Sequence, residues 1–180
     1  MNTITINGAD NMDKRYLAKC LRRLKEWGAP LHGWYCADVV DVREDDPEAP
    51  LLSECELCGC SNVRYEHIMQ HEQYFEPVIV GCICAGIMEG DILRARERER
   101  LMRNRAKRRR NFVSKTWRQS DRCYYRQYKG QLVSIIDHHG SYAVHAGGKV
   151  ELTYKGKVIR DFLSATYAAF DLADPVEKIL

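Results

Sequence analysis

Two pairs of cysteines are the residues of this sequence whose types and spacing most clearly suggest chemistry. Cys55 and Cys58 are separated by two residues and followed by Gly59, and after 23 intervening residues come Cys82 and Cys84. A two-residue separation is typical of a zinc knuckle, in which backbone amides turn toward two thiolates that share one cation. The pairs predict a tetrahedral zinc site with four thiolate ligands, which is closed to substrate and therefore structural.

The second cysteine pair has only one intervening residue, which leaves other ligand sets open. Cys60 could replace one of the four thiolates, and His67 or His71 could supply a nitrogen ligand. A redox dithiol at Cys55 and Cys58 is another alternative, although the thioredoxin-type context of a strand followed by a helix is missing. The remaining alternative is four buried cysteines that hold no metal.

The order of a knuckle, a hairpin and a helix carrying the last ligands resembles the treble-clef zinc fold over about Glu54–Met88. More narrowly, the runs CELCG, RYEHIMQH and GCICAGIMEGD resemble uncharacterised bacterial and phage-borne proteins. This second resemblance implies no activity.

Some treble-clef proteins are HNH-type nucleases, which place a catalytic histidine on the hairpin and a His or Asn on the helix around a second cation. The resemblance would give the hairpin role to His67. The helix after Cys84 offers Glu89 and Asp91 but no matching His or Asn. The catalytic set is incomplete, so a nuclease is a minor hypothesis and no enzymatic activity is predicted.

The segment 94–110 is strongly basic, since ten of its seventeen residues are Arg or Lys. Residues 1–93 carry a net charge of −8 and residues 94–122 a net charge of +10. Such asymmetry indicates a polyanion partner, an acidic protein partner or pairing within the chain. The cations predicted to bind nucleic acid are Arg94, Arg96, Arg98, Arg100, Arg103, Arg105, Lys107, Arg108, Arg109, Arg110 and Arg118.

A continuous helix is predicted for this basic segment, with its regular part from Asp91 to Arg118. Like charges four residues apart cost such a helix roughly 0.2–0.5 kcal/mol per pair, so the sequence is not optimised for helix stability alone. The functional interpretation is that phosphates neutralise the charge. The alternative is a solvated connector whose arginines pair with the acidic N-terminal half, especially with Asp38–Glu56. Arg94, Arg98, Arg105 and Arg109 are predicted on one side of the helix, and Arg96, Arg100, Arg103, Lys107 and Arg110 nearly opposite.

The elements around the cysteines follow from hydrophobic periodicity. An amphipathic helix is predicted over 10–27, capped by Asp10 or Asn11, and a strand over Trp34–Val42. The acidic loop Arg43–Pro50 leads into the cysteine module, which contains two further strands. These two strands are predicted at Val63–Met69 and Pro77–Val80.

The last sixty residues predict a second small domain. Glycines separate four short strand candidates, and a helix follows over Asp161–Ala173 with small residues on one side. The arrangement predicts a three- or four-stranded meander covered by one helix. The strand candidates are Tyr124–Tyr128, Leu132–Ile136, Ser141–His145 and Val150–Tyr154.

An aromatic and basic cluster begins this domain. Tyr124, Tyr125 and Tyr128 could stack on bases while Arg126 holds phosphates. Alternatively, alternate tyrosines of the strand could face the covering helix as core residues. The meander followed by SATYAAFDLA is similar to plant ethylene-response-factor and integrase arm-binding domains over about Tyr128–Ala173. That resemblance implies a sheet in the major groove, but few Arg or Trp residues project from these strands.

The sequence as a whole predicts an α+β protein in four parts. Residues 1–50 hold a helix, a strand and an acidic loop, 51–93 the zinc module, 94–120 the basic helix, and 121–180 an antiparallel sheet with one helix. The N-terminal residues lack the apolar core of a signal peptide, and no apolar run approaches the roughly 20 residues of a membrane span. A cytoplasmic location without a membrane partner is expected.

Three functions are compatible with this pattern. The first is a zinc-stabilised nucleic-acid-binding protein, DNA or RNA, whose phosphate contacts are mainly electrostatic. The alternative is a protein-interaction module, an inhibitor or adaptor, borne by a phage or mobile element. The minor alternative is the treble-clef nuclease that would use His67.

Overall fold

The computed structural model describes residues 6–8, 12–46, 48–50, 53–176 and 179–180. Within these residues the chain forms four helices and antiparallel sheets, which confirms the predicted α+β class. It divides into two compact units. The first comprises the residues up to Arg103 together with Ile179–Leu180, and the second comprises Asn104–Lys178. The predicted basic segment, 94–120, is shared between them.

The first unit contains a three-stranded antiparallel sheet in the order β1-β2-β3. The helix predicted over 10–27 is α1, capped by Asp13, whose carboxylate accepts from the amide of Arg15 at 2.8 Å. Its expected start at Asp10 or Asn11 lies outside the described residues. The elements are α1 (Lys14–Glu26), β1 (Tyr35–Asp41), β2 (Tyr65–His71), β3 (Tyr74–Val80), α2 (Cys82–Glu89) and the first part of α3 (Ile92–Ser114).

Helix α2 packs closely against the start of α3. Gly90 ends α2 in the left-handed conformation, at φ 80°, and Asp91 then caps α3 by accepting from the amide of Arg94. A β-carbon on Gly86 would lie 2.6 Å from the α-carbon of Ile92. Only glycine therefore fits at this crossing, which holds the cysteine-bearing helix directly against the basic helix.

The second unit contains a five-stranded antiparallel meander in the order β4-β5-β6-β7-β8, with a short β9-β10 hairpin. Alternate residues of β6 and β7 face α4, which packs on them through its alanines and Phe170. The predicted meander and its covering helix are confirmed. The elements are β4 (Arg118–Ser120), β5 (Cys123–Tyr128), β6 (Gln131–Asp137), β7 (Tyr142–Ala146), β8 (Lys149–Glu151), β9 (Thr153–Tyr154), β10 (Lys157–Val158) and α4 (Phe162–Ala173).

The aromatic cluster on β5 divides between the two faces of the strand. Tyr124 packs on Phe162 with ring centroids 4.6 Å apart, and Tyr128 packs edge-on against Phe112 at 5.1 Å. Arg126 lies over the Phe112 ring, 4.5 Å from its centroid. The core interpretation is therefore correct for Tyr124 and Tyr128, which pack against the core of the second unit, whereas Tyr125 alternates to the opposite face.

The basic helix is shorter than predicted and the sheet has one strand more. Helix α3 ends at Ser114, and Arg118 begins the edge strand β4, which pairs with β5. Trp117 packs edge-on against Phe112 with a centroid distance of 5.6 Å, so the chain turns back to bury this indole instead of continuing the helix. Among the described residues, no helix combines the length and apolar character needed to cross a membrane.

Candidate functional site

Three cysteine sulfurs meet in the first unit. The Sγ atoms of Cys55, Cys58 and Cys84 all lie within 4.8 Å of one another. Cys55 and Cys84 are buried and Cys58 is partly exposed. Three thiols at these separations are close enough to bind one metal ion.

A tight turn positions the first two thiols. The amide of Gly59 donates to the carbonyl of Cys55 at 2.8 Å, and the amide of Cys55 donates to the carbonyl of Cys60 at 2.9 Å. Gly59 has a φ of 73°, a conformation that glycine adopts without strain. This is the knuckle that the CELCG run predicts.

The environment of Cys55 favours its thiolate form. A hydrogen bond from Cys84 lowers the pKa of the Cys55 thiol, and it outweighs burial, which raises it. The backbone amides of Gly81 and Cys58 also donate to this sulfur and lower the pKa further. Because a metal ligand must be deprotonated, these donors prepare Cys55 for coordination.

Helix α1 brings two further side chains to the cluster. The Tyr16 hydroxyl lies 3.0 Å from Cys84 Sγ. Cys20 is fully buried, interacts directly with Cys84 and acts electrostatically on Cys55. Both residues belong to the amphipathic helix predicted over 10–27, but neither was predicted as a site residue. The signal that could have identified them is their four-residue spacing, which puts a hydroxyl and a thiol on one face.

Cys82, the predicted fourth ligand, lies apart from the sulfur cluster. Its side chain lies beside Glu99, and burial together with that carboxylate raises the pKa of the Cys82 thiol to about 12. The separation has a geometric cause, since α2 begins at Cys82. Residues two apart on an α-helix differ by about 200° around its axis, so Cys82 and Cys84 point to opposite sides.

The other predicted alternatives to these ligands also lie elsewhere. Cys60 is exposed, and its thiol donates to the carbonyl of Ser61 at 3.2 Å. His71 packs against Trp34 with ring centroids 5.5 Å apart and accepts from the amide of Gln73. Neither side chain belongs to the described sulfur cluster.

His67, the residue considered for nuclease chemistry, is fully buried on β2. Burial, followed by the charge of Arg98, lowers the pKa of His67 to about 4. Its Nδ1 lies 3.2 Å from the carbonyl of Tyr65. A catalytic histidine must reach substrate or a solvent-accessible cation, so this placement argues against that role.

The arginines of α3 separate into two groups. The inner face of α3, defined as Arg98, Arg105 and Arg109, is only 2–3% exposed. In the first unit, Arg98 Nη2 lies 2.7 Å from Glu89 Oε2, and both side chains are buried. A charge pair this far from water is worth little as net stability, but removal of one partner is costly.

The remaining inner-face arginines belong to the second unit. Arg105 donates to Asp171 at 2.6 Å and to the carbonyl of Asp174 at 2.8 Å. Arg109 lies over the Tyr167 ring, 4.1 Å from its centroid, and donates to the Tyr154 hydroxyl at 2.7 Å. Both are structural residues.

Arg108, beside them on α3, is half-buried and donates to Asp174 at 2.7 Å. Burial raises the pKa of Asp174, but hydrogen bonds from Arg108, Tyr128 and Lys129 outweigh it and lower that pKa to about 2. Neutralisation within the chain therefore does occur. Glu89, the partner of Arg98, belongs to the acidic N-terminal half but lies outside Asp38–Glu56. Asp171 and Asp174, the carboxylates described for Arg105 and Arg108, lie in the C-terminal region.

The outer face of α3, defined as Arg96, Arg100, Arg103, Lys107 and Arg110, is exposed. Two of its members pair on the helix itself, Arg100 with Glu97 at 2.6 Å and Arg103 with Glu99. For Arg96, Lys107 and Arg110 the described part of the chain supplies no ion pair. Arg94 is exposed in the first turn of α3, and Arg118 is exposed on β4.

The chain has no match among protein-family models, curated proteins or solved structures.

Proposed function

We propose that this protein is a zinc-stabilised nucleic-acid-binding protein that contacts phosphates through the outer face of α3. The observation that carries the proposal is the division of one helix into buried, neutralised arginines and an exposed row of five cations. Those five recur at intervals of 4, 3, 4 and 3 residues. This periodicity keeps them on one side of an α-helix over about 21 Å, at 1.5 Å per residue.

Zinc is the metal that suits the sulfur cluster. Thiolate ligands select soft or borderline ions, and a sulfur-rich tetrahedral set in a reducing compartment is characteristic of structural zinc. Its role here is to join the knuckle to α2, which packs on the start of α3 through Gly86. The metal therefore supports the helix that carries the exposed cations and takes no part in catalysis.

Phosphate is the anion that suits the outer face. Four of its five cations are arginines, whose planar guanidinium groups hold phosphate oxygens in bidentate fashion. Glu97 and Glu99 offset only Arg100 and Arg103. Both side chains of the Arg100–Glu97 pair are exposed, whereas Glu99 is only 18% exposed beside the exposed Arg103. Exposed pairs contribute about 0–1 kcal/mol, so phosphates can displace them at small cost.

The test is the salt dependence of binding by the full-length, metal-loaded protein. Fluorescence anisotropy would be measured with labelled duplex DNA, single-stranded DNA and RNA between 50 and 200 mM salt. Five phosphate contacts predict a slope of log K against log salt of about −4.5, a several-hundredfold loss over this range. Absence of binding to all three probes, or a flat response to salt, would contradict the proposal.

An acidic protein could bind to the outer face of α3 instead of nucleic acid. Purification of this protein together with such a partner would distinguish the two functions. The protein would be purified from cells with and without nuclease treatment. A single protein that remains bound after nuclease, combined with no binding to nucleic-acid probes, would favour an inhibitor or adaptor. Co-purified nucleic acid that nuclease removes would favour the proposed function.

A further inference from the structure

We propose that Cys20 on α1 is the fourth ligand of the metal site, which then consists of Cys20, Cys55, Cys58 and Cys84. This inference rests on the metal-binding part of the proposed function. In the ligand set, Cys20 takes the place of the predicted Cys82. The inference requires that α1, whose Cys20 precedes Cys55 by 35 positions in the sequence, belongs to the metal site.

The position of Cys20 supports this assignment. Its side chain is 0% exposed and contacts Cys84, and it also acts on Cys55, so it interacts with two of the three clustered thiols. All four cysteines belong to, or pack against, the same core cluster of the first unit. One helical turn earlier, Tyr16 reaches Cys84 as well, which confirms independently that this face of α1 points at the sulfurs.

The geometry of a zinc ion explains why a fourth thiol is needed there. Zinc–sulfur bonds of about 2.3 Å in a tetrahedron place the sulfurs about 3.8 Å apart. Three sulfurs already lie within 4.8 Å of one another, and Cys20 is not within that distance of all three. Loading of the ion must therefore draw Cys20 toward the knuckle while the other three contract.

The remaining described cysteines have other neighbours and lie outside the sulfur cluster. Cys82 lies beside Glu99, and exposed Cys60 donates to Ser61. Cys36 donates to the carbonyl of Asp38 at 3.2 Å, and Cys123 belongs to the second unit. Among the residues that the structure describes, Cys20 is thus the thiol placed to complete the set.

Tyr16 takes a supporting role in this arrangement. Once Cys84 is a metal-bound thiolate, the Tyr16 hydroxyl donates to its sulfur from 3.0 Å. Outer hydrogen bonds of this kind fix a ligand's orientation, and their loss typically lowers metal affinity about 10–100-fold. Tyr16→Phe should therefore weaken zinc binding by about that factor without removing a ligand.

The first experiment counts sulfur ligands in the intact protein. Zinc content and zinc X-ray absorption would be measured on the wild type and on Cys82→Ser, both full-length. The inference predicts one zinc with four sulfur ligands in each. A count of three sulfur ligands in zinc-loaded Cys82→Ser would overturn the assignment of Cys20 but not the metal-binding proposal. A folded wild type without any bound metal would overturn the metal-binding proposal and this inference together.

The second experiment removes the proposed ligand. Cys20→Ser, Cys82→Ser and the control Cys36→Ser would be titrated with Co²⁺ and competed with zinc. Cys20→Ser should lose about a quarter of the thiolate-to-cobalt absorption, because one of four sulfur ligands is removed. Its zinc affinity should fall by more than about 100-fold, which exceeds the loss expected when only a hydrogen bond to a ligand is removed. Wild-type behaviour of Cys20→Ser would contradict the assignment. If Cys20→Ser does not fold, the sulfur count in Cys82→Ser still decides.

Discussion

The two faces of α3 are built from the same residue type and have opposite environments. On the inner face, Arg98, Arg105 and Arg109 are buried, each in contact with an acidic or aromatic side chain. On the outer face, Arg100 and Arg103 are 61% and 67% exposed, and their carboxylate partners come from the same helix.

The comparison shows that the number of charged residues in a segment does not determine the role of each one. The inner-face arginines replace the apolar residues that an amphipathic helix would normally bury, with carboxylates and rings to satisfy them. The outer-face cations crowd one another at a cost that a bound polyanion would relieve.

Metal removal has the largest expected effect. Zinc binding in small modules is worth on the order of 10 kcal/mol, comparable with whole-domain stabilities of about 5–15 kcal/mol. Chelation should unfold the first unit and expose Arg98, while Arg105 and Arg109 keep their partners in the second unit. Amide hydrogen exchange should lose protection in β2 and α2 but keep it in β6 and α4. Unchanged exchange in the first unit would contradict a structural metal.

Substitution of an inner-face arginine should have the second largest effect on the free energy of unfolding. Arg105→Ala removes the donor of the Asp174 carbonyl and one of the two arginines beside Asp171, the other being Arg109. It should destabilise the second unit by about 2–4 kcal/mol. Lys107→Ala, two residues away on the outer face, should stay within about 0.5 kcal/mol. Urea denaturation of both variants measures this difference. Equal effects would show that burial does not distinguish the two faces.

Acid titration tests the carboxylate that serves Arg108. The pKa of Asp174 is about 2 when folded and about 3.9 when unfolded, so its contribution of about 2 kcal/mol is complete above pH 4. This stability should be lost as the pH falls from about 4 to about 2. Asp174→Asn should be less stable at pH 7 and lack this component of the acid dependence. A wild type and variant with parallel pH profiles would refute the assignment.

Neutralisation of the outer face should have the smallest effect on stability. A triple variant, Arg96→Gln, Lys107→Gln and Arg110→Gln, removes three cations for which the described chain supplies no ion pair. Its free energy of unfolding should remain within about 1 kcal/mol of the wild type, because exposed substitutions usually cost little. Thermal and urea unfolding of the metal-loaded protein would check this. A larger loss would mean that the outer face stabilises the fold.

The sequence predicted the parts of the fold that depend on local periodicity. The helix over 161–173, the strands β5 to β7 and the hairpin after the knuckle follow from patterns within a few residues, and the structure has them. The predicted strand Val150–Tyr154 instead divides between β8 and β9, which belong to different sheets. The edge strand at Arg118 was missed because it depends on Trp117 packing against Phe112 rather than on its own three residues.

The site was predictable only where its residues are close in the chain. The knuckle Cys55–Cys58 is a local motif. The approach of Cys20 to the sulfurs depends on how α1 packs on α2, and its four-residue spacing from Tyr16 indicates only that the two residues share a helix face. Cys82 was assigned by pairing with Cys84, but the phase of α2 turns it away. The sequence predicted Arg98, Arg105 and Arg109 on one side of the helix, but not that this side is buried. The carboxylate partner of Arg105, Asp171, lies 66 residues away, so no local pattern reveals the pair.

The most direct measurement is the salt slope of nucleic-acid binding for the outer-face triple variant against a charge-matched control. The control, Arg15→Gln, Lys25→Gln and Lys157→Gln, removes three exposed cations from other elements. Removal of three phosphate contacts should reduce the slope by about 2.7, whereas the control should keep the wild-type slope. If the triple variant and the control bind with the same slope as the wild type, the outer face of α3 is not the nucleic-acid-binding surface.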